Sequence, residues 1–378
     1  MNNTKRGKNP SKITVCELWV LAGGRCQFPG CNCNLMQDDE TWQQFNGSNI
    51  AHIVASSPDG PRGSEKSYEL SDKLENLMLL CPTHHKEIDE NEALYTIERL
   101  KDIKRLQEQK VQELLEGMEY PESEIVILES PIKGRIDVHV DRMLAVKALR
   151  SIHKKPASAY PHIIKIEGYG DYSAEQYWDT AVKKLKNDVT IVLADKFKYV
   201  PELEVSVFPL APIPIIAKFG ELLGDKKGVD IFQKTREPDT WCWTNEGVTN
   251  NFIVSKTVIT KNAGTAKIAI ALSLTANVSE ERILDVVDAT VIYHIRAEHT
   301  GVDCISSKED LKSFWQKYQS VCDRIKNEDH CNSASVFPAV PVSAAFEIGR
   351  RHMMETHPVL DIYEECNGFF KAVTIAFW

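Results

Sequence analysis

The chain has 378 residues, of which 43% are hydrophobic, and its formal net charge is −9. A chain of this length exceeds what one hydrophobic core usually serves, so we expect at least two domains. The acidic charge balance excludes a protein that binds nucleic acid through a broad basic surface, because neutralising phosphates needs clustered Lys and Arg. Any contact with DNA is therefore expected to be local or assisted by a metal ion.

The sequence lacks the patterns of export and membrane insertion. Its polar and basic start, MNNTKRGKNPSK, is followed by no uninterrupted apolar core of a secretory signal. No later stretch approaches the roughly 20 consecutive apolar residues that a membrane-spanning helix needs. We therefore predict a cytoplasmic protein that contacts no membrane.

Residues 1–95 are predicted to form a first, irregular module. Gly and Pro punctuate this segment and leave room for hairpins and loops but for few long elements. Half of the ten cysteines lie here: Cys16, Cys26, Cys31, Cys33 and Cys81. Disulfide scaffolds are typical of short secreted chains, so metal ligation explains this crowding better.

Four potential zinc ligands form two pairs along the chain. Cys26 and Cys31 lie in GRCQFPGC, and Cys81 and His84 lie in LLCPTHH. Paired soft ligands on two tight turns are what a closed tetrahedral Zn²⁺ site requires. Cys33 is the alternative to Cys31, although the Pro-Gly turn at residues 29–30 favours the nearer cysteine. The spacing therefore predicts a structural zinc ion.

A His, an Asn and a second His are interleaved with these pairs. His52 lies in NIAHIVASSPDGPRG, Asn76 lies in LENLMLLC, and His85 directly follows His84. This order resembles the zinc-containing members of the HNH (ββα-metal) endonucleases over roughly residues 15–100. The resemblance implies that His52 is the general base, since a neutral imidazole accepts a proton near pH 7. It implies that His85 binds a catalytic divalent cation such as Mg²⁺, and that Asn76 either braces the hairpin or completes the metal shell.

The sequence departs from this family at one position. Many members have an Asp or a His directly before the catalytic His, whereas this chain has Ala51 there. Asp89 is the candidate for the missing metal ligand, because it follows His85 by four residues and so shares its helix face. The alternative for Asp89 is a solvated acid. Nearby basic residues either steer phosphate or are ordinary surface charges: Arg25, Arg62, Lys66 and Lys86.

A long helix is predicted to follow the first module. Apolar residues recur at helical spacing from the N-cap residue Thr96 to Met118, with charges between them. Residues 96–121 are therefore predicted to be a linker region, and its long helix is predicted to end before Pro121.

Residues 122–378 alternate β-branched runs with amphipathic ones, which is typical of a largely parallel sheet flanked by helices. The pattern runs twice and predicts two halves, at about 122–260 and 261–378. The predicted strands are 124–128, 136–140, 163–166, 189–193, 203–208, 267–274, 289–294, 335–340 and 371–377. The predicted helices are 173–186, 214–223, 279–287, 308–327 and 343–356.

Two segments of this second region join the end of a strand to a Pro-rich turn and a helix. They are FPLAPIPIIAKFGELLGD (208–225) and FPAVPVSAAFEIGRRHMMETHPVLDIYE (337–364). Open α/β sheets bind ligands at such strand ends, and helix N-termini suit phosphates. Together with FQKTREPDTWCW (232–243) and SLTANVS (273–279), these segments resemble the SAVED domain, a fused pair of CARF-like Rossmann-type halves found in bacterial anti-phage signalling.

The two resemblances together imply an α+β HNH module stabilised by zinc, followed by an α/β SAVED domain, as in the HNH-SAVED effector nucleases of CBASS anti-phage systems. They imply that a cyclic di- or trinucleotide from a partner synthase, with a cyclic dinucleotide such as a cGAMP isomer favoured, activates cutting of double-stranded DNA. They also imply a homo-oligomer, a dimer at rest and of higher order when active. Two other interpretations remain open: a constitutive HNH nuclease with a structural C-terminal domain, and a non-catalytic, zinc-dependent DNA-binding sensor.

Ten residues at inferred strand ends and turns are the candidates for binding the cyclic nucleotide. For the two tryptophans, base stacking and packing in the core are both open, and for the two arginines a phosphate contact and a surface charge are both open. The ten are Pro212, Pro214, Arg236, Trp241, Trp243, Ser273, Thr275, Pro341, Ser343 and Arg350.

Overall fold

The structure is a computed structural model that describes residues 7–38, 41–133, 137–167, 170–200, 202–226, 228–244, 250–259, 266–353 and 355–376. It divides into two compact units, Met1–Glu119 and Tyr120–Trp378. Within the described ranges, no helix is both long enough and apolar enough to cross a membrane.

The N-terminal unit contains a two-stranded antiparallel hairpin followed by a helix. The first strand ends at His52, which lies opposite Leu77, and the helix begins directly after Cys81 with Pro82 at its first position. A small apolar core, including Leu79 and Ile88, holds these elements together. The elements of this unit are α1 (Lys12–Leu21), β1 (Asn49–His52), α2 (Ser67–Leu70), β2 (Leu77–Leu80), α3 (Pro82–Glu90) and α4 (Ile97–Glu116), with 3₁₀ turns at Leu74–Asn76 and Gly117–Glu119.

The long helix α4 belongs to this N-terminal unit. It begins at the predicted N-cap, where the Thr96 side chain accepts a hydrogen bond from the backbone N–H of Arg99. Leu100 is fully buried in the core of the unit, and the buried amide of Gln27 donates to Gln107 on the same face of α4. The first part of the apolar series therefore packs against the first module through Ile97, Leu100 and Ile103. Later members of the series are exposed, among them Leu106, Leu114 and Met118.

The C-terminal unit is built from two sheets. The first contains β3 (Glu122–Glu129), β4 (Lys155–Pro156), β5 (His162–Lys165), β6 (Val205–Leu210) and β7 (Val229–Ile231), and each of its strand pairs is parallel. The second has the order β13-β12-β11-β9-β10-β8, with β8 (Phe252–Val258), β9 (Ile268–Ser273), β10 (Val291–Ala297), β11 (Ser333–Ala339), β12 (Val359–Glu365) and β13 (Phe369–Ile375). The helices are α5 (Arg142–Ser151), α6 (Glu175–Val189), α7 (Asp195–Tyr199), α8 (Ile213–Leu223), α9 (Glu280–Leu284), α10 (Lys308–Asn327) and α11 (Val342–Arg350).

The predicted α/β architecture of this unit is confirmed, but the predicted seam between its halves is wrong. The strand β8 was assigned to the first half, whereas it pairs antiparallel with β10 in the second sheet. The change of sheet therefore falls between Ile231 and Phe252. The sequence placed the seam too late because β8 lies at a sheet edge, is half exposed and precedes a Gly-containing segment.

Two matching helices join the halves. The spacing of Phe208, Pro212 and Gly220, which runs from β6 into α8, recurs as Phe337, Pro341 and Gly349 from β11 into α11. A Cβ atom on Gly220 would lie 2.1 Å from the backbone O of Phe346, and one on Gly349 would lie 1.8 Å from the backbone O of Ala217. The two helices therefore pack backbone against backbone, and each needs glycine at the crossing.

Several predicted elements differ from the structure. Residues 189–193, predicted as a strand, are helical, because Val189 and Leu193 continue the buried face that Ala181 and Leu185 begin in α6. Residues 137–140 form no strand, and Ile136 lies outside the described residues. The helix predicted at 343–356 ends at Arg350. The last strand ends at Ile375, and position 377 of its predicted range lies outside the described residues.

Candidate functional site

The predicted zinc ligands of the N-terminal unit meet in one cluster. The Sγ atoms of Cys26, Cys31, Cys33 and Cys81 all lie within 4.8 Å of one another. The first three lie on a tight turn, in which the N–H of Cys26 donates to the carbonyl O of Cys33, while Cys81 caps the start of α3. Cys33, the predicted alternative to Cys31, thus lies in the cluster together with it, and their Sγ atoms are 3.4 Å apart.

His84 adjoins this cysteine cluster. Its Nδ1 lies 3.2 Å from Sγ of Cys81 and 3.6 Å from Sγ of Cys26. The ring of Phe28 stacks on the imidazole at 4.0 Å and fixes its orientation. Four thiol sulfurs and one imidazole nitrogen therefore lie close together. A tetrahedral zinc ion takes four ligands of these types, so the donor set fits zinc.

Burial and mutual proximity affect the ionisation of the cluster. Burial raises the pKa of Cys33 to about 12 and also raises the pKa of Cys26. Burial opposes ionisation of Cys31 too, but hydrogen bonds from the backbone of Cys33 and from the neighbouring thiols outweigh it and lower the pKa of Cys31. These thiols would therefore ionise together only if a cation compensated their charge, as a bound zinc ion would.

The hairpin and α3 bring the three predicted catalytic residues onto one ββα arrangement. His52 is the last residue of β1, Asn76 directly precedes β2, and His85 lies in the first turns of α3. Nε2 of His52 lies 3.0 Å from the carbonyl O of Ser71. Because a carbonyl only accepts hydrogen bonds, Nε2 is the donor here, and in the neutral form of this ring the lone pair would be on Nδ1.

Asn76 braces the hairpin. Its Oδ1 accepts from the N–H of Val54 at 2.8 Å, and its Nδ2 donates to the carbonyl O atoms of Val54 and Leu70 at 2.8 and 3.2 Å. Only 2% of Asn76 is exposed. Of the two roles that the sequence left open, this geometry is that of the brace.

Asp89 faces His85 one helical turn away, as its spacing predicted. Oδ2 of Asp89 lies 3.7 Å from Nε2 of His85, which is longer than a hydrogen bond. Oδ1 of Asp89 accepts from Nη2 of Arg62 at 2.8 Å. Arg62 was expected to steer phosphate or to be a surface charge, but only 5% of its side chain is exposed. The sequence missed its role because its partners come from elements far apart in the chain.

The predicted ligand-binding residues of the C-terminal unit lie mostly inside it. Eight of the ten are buried; Thr275 is half-buried and Arg236 is exposed. Trp241 packs edge-on against Phe208 in the main core, and only 1% of it is exposed. Trp243 belongs to the same core. Of the two alternatives for these tryptophans, the structure therefore has packing in the core.

The buried polar members of this set have partners within the unit. Ser343 donates to the side-chain O of Gln233 at 2.7 Å, and Ser273 lies 2.6 Å from Nε2 of His294. Arg350 donates to the carbonyl O of Lys226 and forms an ion pair with Glu347.

A cavity of about 440 Å³ lies in the C-terminal unit beyond the carboxyl ends of β3 and β5. Lys133 from the loop after β3, Asp171 and Ser173 from the loop after β5, and Asn367 from the β12–β13 turn line it. Sequence reasoning missed it because its wall is made from loops without a recurring pattern.

Comparisons with known proteins were made for the whole chain. No curated protein sequence matches it significantly. The chain is similar in fold to the Cap4 SAVED/CARF-domain containing receptor of Acinetobacter baumannii with the cyclic trinucleotide 2'3'3'-cAAA (11% identity, TM-score 0.43, covering 83% of this chain and 67% of that one). The same receptor with 3'3'3'-cAAA gives a TM-score of 0.45 at the same identity and coverage.

The chain is also similar to a second receptor, and part of it matches a family model. The Moraxella osloensis Cap4 SAVED/CARF-domain containing receptor shares 9% identity at a TM-score of 0.38, with 77% of this chain covering 60% of its length. Residues 193–375 match the family model of the SMODS-associated and fused to various effectors sensor domain, or SAVED. The matched residues all lie in the C-terminal unit.

Proposed function

We propose that this protein is a CBASS-type effector in which the SAVED domain binds a cyclic oligonucleotide and the N-terminal unit then cuts double-stranded DNA. The observation that supports the nuclease half is that a hairpin and the helix after it carry His52, Asn76 and His85, and that Cys81 of the cysteine cluster directly precedes this helix. The two histidines and Asp89 are residue types that serve as general base and as metal ligands in catalytic sites.

Each residue of the site has a separate role in the proposed hydrolysis of the phosphodiester. His52 takes a proton from the attacking water on Nδ1, because Nε2 already donates to Ser71. Asn76 holds the hairpin in shape through its three backbone hydrogen bonds. His85 and Asp89 would hold a divalent cation such as Mg²⁺, whose charge would stabilise the phosphate and the departing oxygen. The separation of 3.7 Å between their facing atoms is compatible with both binding one ion.

The zinc ion of this proposal has a separate, structural role. The cysteine cluster and His84 would bind it and connect the turn at residues 26–33 to the start of α3. Since α3 also carries His85, the ion would fix the position of the catalytic helix. Removing zinc should therefore unfold the unit, whereas removing Mg²⁺ should stop cutting reversibly.

The sensing half of the proposal concerns the C-terminal unit. The similar A. baumannii receptor carries cyclic trinucleotides, and a cyclic di- or trinucleotide is the ligand class proposed for this chain. The cavity beyond the carboxyl ends of β3 and β5 is the proposed place of binding, because parallel sheets bind ligands at this end and its volume suits a small molecule. Ligand binding is proposed to change the oligomeric state, from a dimer to a larger assembly.

The test is cleavage of duplex plasmid DNA by the purified protein with Mg²⁺, with and without a panel of cyclic di- and trinucleotides. Cutting should need both the cation and one of the nucleotides, and light scattering should show that the same nucleotide increases the assembly mass. Cutting that is equally fast without any nucleotide would contradict the sensing half. Binding of a nucleotide without cutting would contradict the nuclease half.

His52→Ala tests the assignment of the base. Removal of the imidazole should lower the cleavage rate by about 100-fold or more, because general bases contribute factors of that order. The thermal unfolding midpoint and the zinc content should stay as in the wild type. His330→Ala is the matched control, since His330 is exposed and lies in the C-terminal unit. Cleavage by His52→Ala at the wild-type rate would remove His52 from the mechanism.

A further inference from the structure

Arg62 lies in an unusual backbone and side-chain environment. Its φ is +55°, in the left-handed region that residues with a side chain seldom adopt. Only 5% of its side chain is exposed, although arginine is rarely buried without partners. Both features impose a free-energy cost and therefore call for compensating contacts.

The guanidinium of Arg62 connects two parts of the proposed active site. Its Nε donates to the carbonyl O of Ile53, the residue directly after His52, at 2.8 Å. Nη1 donates to the carbonyl O of Ile88 and Nη2 donates to Oδ1 of Asp89, both at 2.8 Å. One rigid, planar group thus links the end of β1 to the helix that carries His85.

The loop that carries Arg62 is itself held in place. The backbone N–H of Arg62 donates to Glu92, and the N–H of Ala55 donates to the carbonyl O of Pro61. A Cβ atom on Gly63 would lie 2.2 Å from the carbonyl O of Pro58, so only glycine fits after the arginine. The backbone that carries the Arg62 side chain is therefore held in one conformation.

We propose that Arg62 is a positioning residue of the nuclease site. It holds Oδ1 of Asp89, so that Oδ2 remains directed toward the cation shared with Nε2 of His85, and it sets the spacing between His52 and α3. The inference rests on the proposed function of this site. A direct contact of Arg62 with DNA is a poor alternative, because only 5% of its side chain is exposed and three of its five N–H groups already donate inside the protein.

The experiment measures Mn²⁺ binding to the full chain by electron paramagnetic resonance, which needs neither DNA nor activator. In Arg62→Lys the charge remains, but a single ammonium cannot reach all three acceptors. We expect this variant to keep its zinc content and to bind Mn²⁺ about tenfold or more weakly, as is usual when a residue that orients a metal ligand is lost. Arg105→Ala is the matched control, since the Arg105 side chain on α4 is 63% exposed.

Cleavage kinetics with the nucleotide that activates the wild type give a second readout. A positioning role predicts a lower kcat for Arg62→Lys at saturating Mn²⁺, with an unchanged KM for DNA. Mn²⁺ affinity equal to that of the wild type, or a change in KM alone, would overturn the proposal. If wild-type protein neither binds Mn²⁺ nor cuts DNA, the proposed function itself fails, which is a distinguishable result.

A variant that does not fold would still leave the proposal testable. Arg62→Ala is then prepared with methylguanidinium in the buffer, which can occupy the place of the missing group. Recovery of Mn²⁺ affinity on addition of methylguanidinium supports the proposal, because a general loss of stability would not be repaired in this way. A folded Arg62→Ala protein whose Mn²⁺ affinity does not respond to methylguanidinium would contradict it.

Discussion

The two units of this protein are stabilised in different ways. The N-terminal unit has a small apolar core and holds its loops by a cysteine cluster, a buried arginine and a buried asparagine. The C-terminal unit has one large core that runs through both sheets and across the α8–α11 contact. Because the N-terminal unit has few buried apolar side chains, we expect specific polar interactions and a bound metal to contribute a larger share of its stability. We therefore expect different substitutions to unfold the two units.

Loss of one ligand of the proposed zinc site gives the largest expected effect. Cys81→Ser should unfold the N-terminal unit, because structural zinc contributes about 10 kcal/mol to folding in small metal-dependent modules. Amide hydrogen exchange should then show loss of protection up to Glu119 and retained protection beyond Tyr120. Cys16→Ser is the matched control, since Cys16 is exposed on α1. A folded, zinc-free Cys81→Ser protein would show that the core alone holds this unit together.

A methyl group added where α11 packs against α8 should lower the stability of the C-terminal unit only. Gly349→Ala would place a Cβ 1.8 Å from the carbonyl O of Ala217. We expect the free energy of unfolding of this unit to fall by about 3 kcal/mol, the upper end of ordinary overpacking, because backbone atoms must move apart. Urea unfolding followed by hydrogen exchange would measure it.

Gly301→Ala is the control for that measurement, because a Cβ at Gly301 meets nothing within 4 Å. The N-terminal unit should keep its exchange protection in both variants. Equal stability of Gly349→Ala and Gly301→Ala would mean that α8 and α11 separate more easily than their packing indicates.

The same contrast explains which features the sequence could predict. The helix α10 was predicted with the bounds the structure has, because Ser307 and Asp310 form a capping box at its start. In the N-terminal unit, His and Cys at set spacings have few structural alternatives, and Cys26, Cys31, Cys81 and His84 do come together. Which four of the five donors a zinc ion would take was not predictable, since this depends on how the turn at residues 26–33 folds around Cys31 and Cys33.

In the C-terminal unit the sequence was informative about architecture but not about the binding site. Residues such as Trp241 and Ser343 stood out by type and position, yet packing and internal hydrogen bonds account for them. The cavity lined by Lys133 and Asp171 involves loops that no pattern marks. Arg62 was not predictable either, because its three acceptors follow from the tertiary fold.

Acid should weaken the C-terminal unit through a buried histidine. His294 lies in β10, with Nδ1 accepting from Nη2 of Arg296 at 2.7 Å and Nε2 2.6 Å from Oγ of Ser273. Burial, together with the charge of Arg296, lowers the pKa of His294 from 6.5 to about 4. Between these two values the unfolded chain binds a proton that the folded unit does not, so stability falls as the pH falls.

For His294 alone, this linkage amounts to a loss of about 2 kcal/mol between roughly pH 7.5 and pH 5. The measurement is the free energy of unfolding of the C-terminal unit against pH, for the wild type and for His294→Gln, which keeps a donor toward Ser273. The variant should lose stability less steeply over this window, although the lowered pKa of His352 leaves part of the slope. Identical slopes would mean that His294 is protonated in the folded unit despite Arg296. The polar groups of this unit would then be more hydrated than their burial indicates, and the contrast with the N-terminal unit correspondingly weaker.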